Sequence, residues 1–70
     1  MKYAVVIEKA NNNYSAFVPD LPGCVATGET LAEVEAEISA AIRFHLDRLQ
    51  EDGLPIPMPS CQVHYVEAAA

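Results

Sequence analysis

Thr30-Leu31-Ala32-Glu33 divides the chain into two kinds of sequence. The four residues have the S/T-x-x-E form, in which the threonine oxygen takes the glutamate amide and the glutamate carboxylate reaches back to the threonine amide. A helix is expected to begin there. Downstream, Leu31, Val34, Ile38, Ala41, Ile42, His45 and Leu49 fall in one stripe at ~100° per residue, while Glu33, Glu37, Arg43, Asp47 and Glu51 lie elsewhere. The spacing predicts one amphipathic helix of about six turns. Gly53 is its natural stop, reinforced by Pro55. Glu33, Glu35 and Glu37 suit the positive end of the helix dipole, whereas Glu51 and Asp52 run against it at the other end.

Upstream of Thr30 the period changes to two. Tyr3 to Glu8 is rich in β-branched and aromatic residues and reads as a strand, with Tyr3, Val5 and Ile7 on one face. Asn11 to Asn13 turns the chain into a second strand, Tyr14 to Val18. Pro19-Asp20-Leu21-Pro22-Gly23 ends that pairing, and Cys24 to Gly28 forms a third short strand. Beyond the helix, residues 54 to 60 carry prolines too densely for helix or central strand and read as an extended connector. Gln62 to Val66 is expected to be a last strand. The fold class is therefore α+β, in the order β-β-β-α-β, with a single mixed sheet and one amphipathic helix over residues 1–70. If the last strand lies beside the first, the helical crossover between third and fourth strands is right-handed.

This architecture has a consequence for partners. One helix covers one face of the sheet, and the alternation leaves Ala4, Val6, Phe17 and Ala26 for the other. Phe44 projects about 110° from the centre of the helical stripe and belongs near the surface. Apolar surface of this kind marks contact sites, so a homo-oligomer, dimer or tetramer, or a protein partner is expected.

Composition narrows the partner. The chain has 70 residues, 10 acidic against 4 basic, for a formal net charge of -6. A domain this small has little room for a deep pocket. Four basic residues form no stripe that could neutralise a row of phosphates, so direct nucleic-acid binding is not expected. The acidic balance favours encounter with a basic partner, or serves solubility alone. The apolar run Ala4 to Ile7 is far short of the ~20 residues that span a bilayer, so a cytoplasmic protein without membrane contact is expected. Cys24 and Cys61, 37 positions apart and in no C-x-x-C arrangement, are read as buried thiols in a reducing compartment.

No residue set carries a clear chemistry. Glu29, Glu33 and Glu37 cluster at the helix start as paired carboxylates could for a divalent ion, but helix starts attract such charges and a solvated face explains them. Cys24, His45, Cys61 and His64 are zinc-ligand types without zinc-loop spacing. A Cys24 nucleophile paired with His45 lacks an orienting third group. His45 reads as a core or interface residue and His64 as an ordinary strand position. The segment Val18 to Cys24 is either a rigid turn in which Asp20 bonds neighbouring amides, or a shaped loop that contacts a partner.

At this segment the chain resembles the HicB-like antitoxin family. The agreeing motifs are the Tyr3 to Glu8 strand, Tyr14 to Phe17, P-D-L-P-G-C at 19 to 24, and T-G-E-T-L-A-E at 27 to 33. F-H-L-D-R-L-Q-E-D-G at 44 to 53 and P-I-P-M-P-S at 55 to 60 follow in order. The resemblance implies a partial RNase H-like fold and an antitoxin that covers the active surface of HicA, a small basic toxin that cleaves messenger RNA. It implies protein binding, with no catalytic residues, cofactor or metal ligands to carry over. The first strand lacks the aspartate with which RNase H enzymes hold magnesium. Only ten residues follow Ser60, so the C-terminal DNA-binding domain usual in full-length members is not expected.

Asp20 and Leu21 in the turn, Glu33 and Glu37 on the acidic side of the helix, and Phe44 are the expected partner-binding residues. An orphan self-assembling structural protein and a remnant metal-dependent hydrolase are the alternatives.

Overall fold

The computed structural model describes residues 1–69 and contains β1 (Val6–Lys9), β2 (Tyr14–Phe17), β3 (Val25–Gly28) and α1 (Leu31–Glu51). The three strands form one antiparallel sheet in the order β1-β2-β3, giving the expected α+β arrangement of three strands followed by a helix. The Ala10 N–H donates to the Asn13 carbonyl at 2.9 Å and closes the asparagine turn between β1 and β2. Thr30 caps α1, its Oγ1 accepting the Glu33 N–H at 3.1 Å. Only half of the expected reciprocal pair forms: Glu33 Oε2 accepts the Glu29 N–H at 2.9 Å instead of the Thr30 amide. At the far end Gly53 adopts φ 68°, the left-handed turn that ends the helix.

The core is small. Ala16, Val18, Leu21, Cys24, Val34 and Ile38 are buried, and Tyr14, Ala41, Ile42 and Leu46 pack around them. Gly28 sets how closely helix and sheet meet, because a Cβ there would stand 2.6 Å from the Val34 backbone nitrogen. The helix lies closest to β3, next to β2, and stands off β1. Tyr3, Val5 and Ile7, on the helix side of the β1 segment, touch the core but remain only half-buried.

Four expectations are corrected. The strand over 62–66 is not formed, so the sheet is antiparallel and not mixed. A strand exists only through its pairing partner, and the 62–66 backbone has none. Ala26 lies on the helix side, opposite Ala16 in the register, and Val25 takes the outer face. Leu31 is exposed although it belongs to the apolar stripe, since it precedes the first turn that rests on the sheet. Cys61 is exposed; only Cys24 is a buried thiol.

The molecule is elongated, with extents of 48 × 26 × 16 Å. The 21-residue helix accounts for about 32 Å of that length, against about 13 Å for a four-residue strand. The helix therefore overhangs the sheet. No helix among the described residues is long and apolar enough to cross a membrane.

Candidate functional site

Among the described residues there is no pocket, and no three His, Cys, Asp or Glu side chains converge as a metal ion would require. The features available for recognition are surfaces. Three of them follow from the way the strands and helix are built.

The first is the outer face of the sheet. Val6 lies opposite Phe17 and Phe17 opposite Val25, so these three side chains form a row across all three strands. All three are exposed, and no helix among the described residues covers them. The second is the outward side of the C-terminal half of α1, whose inward side still sets Ala41, Ile42 and Leu46 against the core. Phe44 is 64% exposed on that outward side, and the Arg48 guanidinium carbon stands 5.9 Å from its ring centre, within cation-π range.

The third is the turn between β2 and β3 with the chain that crosses it. Val18 N–H donates to the Cys24 carbonyl, Leu21 N–H to Val18 and Cys24 N–H to Leu21, all within 3.1 Å, while Gly23 supplies φ 84°. This rigid turn drives Leu21 wholly into the core. Asp20 points elsewhere. Its carboxylate accepts the Ser60 N–H at 3.0 Å, the Ser60 hydroxyl at 2.7 Å, the Cys61 N–H at 3.2 Å and the Cys61 thiol at 3.3 Å. The expected turn within 18–24 is present, but Asp20 bonds groups 40 positions away and not its neighbours. The Ser60 amide and hydroxyl, then the Cys61 amide, hold the Asp20 carboxyl at about 2, below its ordinary 3.8. The same contact, led by the bond to Asp20, pushes the Cys61 thiol up. Burial pushes the Cys24 thiol up. Nearby, the Tyr3 hydroxyl donates to the Pro57 carbonyl, a second tie between the connector and the sheet.

The five expected binding residues do not converge on one patch. The turn joins one end of β2 to one end of β3, whereas α1 begins at the other end of β3, so Asp20 and Glu33 lie at opposite ends of the sheet. Phe44 is about 16 Å further along the helix than Glu33. Glu33 and Glu37 are exposed, with Glu33 occupied at the helix start. Leu21, being buried, can shape a contact surface only through the turn. His45 is half-buried on the helix, and His64 Nε2 stands 3.3 Å from Gln62 Oε1.

Sequence reasoning missed Val25 as part of the outer row and missed the Asp20 clasp. The first was recoverable from pairing register. The second carries no local signal, because its two halves are remote in the chain.

Comparisons with known proteins give this surface a context. A family model described as HicB_like antitoxin of bacterial toxin-antitoxin system matches residues 3–69. An uncharacterised 14.9 kDa protein from the rep-hol intergenic region of Haemophilus phage HP1 is 38% identical over 66 residues, covering 94% of this chain and 50% of the phage protein. The chain thus spans half the length of that relative. A UPF0150 protein of Helicobacter pylori is 47% identical over 49 residues, covering 70% of this chain and 68% of its own length. A UPF0150 protein of Archaeoglobus fulgidus is 39% identical over 56 residues, covering 76% of this chain and 81% of its own length.

Proposed function

The chain belongs to the HicB-like antitoxin family of bacterial toxin-antitoxin systems, and from that premise we propose that it neutralises a small basic HicA-type toxin in the cytoplasm by covering the surface that cleaves messenger RNA. The family match over residues 3–69 carries this reading. The charge of -6 supports it, because complementary charge speeds encounter with a basic partner and disfavours wrong ones. So does Phe44, an exposed aromatic of the type that anchors protein interfaces. Glu33, Glu37 and Phe44 contribute directly on this reading, while Asp20, whose carboxylate is taken up by Ser60 and Cys61, and the buried Leu21 contribute through the turn they shape. The protein acts as a binding module without catalysis.

Self-association is part of the same reading. The uncovered row Val6, Phe17 and Val25 favours a homo-oligomer, and in the alternative reading this assembly is the whole function.

The test is capture of partners by the tagged protein from its native cell at low and moderate salt, followed by an RNA-cleavage assay on what co-elutes. A small basic ribonuclease that this protein silences, with an association rate that falls as salt rises, is the expected result. Recovery of this protein alone would favour the self-assembling reading.

A further inference from the structure

Two deficits in the molecule match each other. The first belongs to β1. It is an edge strand, its outer N–H and C=O groups have no neighbouring strand among the described residues, and the helix stands off it, so Val5 and Ile7 remain half-open on the side where the core lies. The second belongs to residues 62–66. Gln-Val-His-Tyr-Val has strand composition and no proline, yet it pairs with nothing and lies exposed throughout, Tyr65 at 96% and Val66 at 87%.

The same chain does not join them. Tyr3, three residues before β1, and Asp20, three residues after β2, lie at one end of that antiparallel pair, and both hold the connector there. Pro55, Pro57 and Pro59 stiffen the approach to this anchor. Beyond Cys61 the chain leaves its own sheet, and no residue from 61 to 69 is even half-buried.

We propose that residues 62–66 form the fourth strand of a second copy of this chain, each copy laying its segment along the free edge of β1 in the other. This deepens the homo-oligomer part of the proposed function and rests on it. Exchange is reciprocal, as a two-fold dimer requires, and each copy both gives and receives one strand. The period-two pattern fits. Val63 and Tyr65 fall on the side of Val5 and Ile7 and close the open flank of the core, while Gln62 and His64 face outward with Glu8. Val66 falls on the outer side and extends the row of Val6, Phe17 and Val25.

The test uses the full chain alone, so it is independent of any toxin. Sedimentation should show a dimer or a multiple of it. Tyr65→Asp, at a side chain 96% exposed in its own fold, should raise the dissociation constant about 30-fold or more, the loss typical of an anchoring aromatic, with helicity by circular dichroism unchanged. In mixed labelled and unlabelled protein, isotope-filtered NMR should find Val63 and Tyr65 close to Val5 and Ile7 of the other copy. Contacts only within one chain would overturn the exchange in favour of closure on its own β1. An oligomer indifferent to Tyr65→Asp and Val63→Asp would overturn it while leaving self-association standing. A monomer at millimolar concentration would overturn both, leaving the toxin-binding reading to its own assay.

Discussion

The segments 18–24 and 62–66 are close in length and opposite in how they are held. The first carries three internal backbone hydrogen bonds, one left-handed glycine and three buried side chains, so everything it needs lies within seven residues. The second has the composition of a strand and none of a strand's bonds. A turn is a local object, and residues with the right backbone preferences are nearly sufficient to specify it. A strand is half of an object. Its residues can be right and the structure still absent until an edge is supplied.

Substitutions at the two segments should separate accordingly. Leu21→Ala empties a fully buried site and should cost roughly 2–5 kcal/mol of unfolding free energy, whereas Val63→Ala should stay within about 0.5 kcal/mol at dilute concentration. Urea denaturation of both variants makes the comparison, and equal losses would break it. Gly28→Ala tests whether the self-contained part is as tightly fitted as its geometry indicates. The added Cβ meets the Val34 backbone, and roughly 1–3 kcal/mol should be lost in the same titration.

Phe44→Glu should leave the unfolding free energy within about 0.5 kcal/mol, since the ring is exposed, while abolishing capture of the basic partner. Loss of stability comparable to Leu21→Ala would instead assign Phe44 to the fold.

The smallest effect is confined to the tail. Asp20 has its folded carboxyl held at about 2, below the ordinary 3.8 of the unfolded chain. The contribution of the clasp is therefore fully present above about pH 4 and is lost as pH falls through 2. Ser60 and Cys61 amide resonances should hold their neutral-pH positions down to about pH 3 and then move together. Asp20→Asn should move them at neutral pH with little change in the rest of the spectrum.

Much of this fold is legible because its determinants are local. Thr30 and Glu33 mark the helix start, Gly53 its stop, and the alternation in 14–18 its strand. The errors occur where the determinant is a distant group. Glu33 turned to Glu29 because that amide needed an acceptor too, a choice that spacing cannot rank. Val25-Ala26-Thr27-Gly28 alternates weakly, so its facing was decided by pairing with β2. Asp20 found its partners beyond the helix, where no motif reaches. The candidate site was legible least of all, since Glu33, Glu37 and Phe44 are individually visible as surface residues but their separation along the molecule follows from topology.

The clasp also gives the protein a chemical reporter in its natural sequence. Cys61 is exposed, so access alone would make it quick to alkylate, yet its thiol donates to the Asp20 carboxylate and keeps its proton. Thiolate is the reactive form, and a thiol tied to an anion supplies little of it. Release of the tail removes that restraint and returns Cys61 toward ordinary reactivity, while Cys24 stays shielded in the core. The rate of a single labelling reaction thus measures how often residues 60 and 61 let go of the turn.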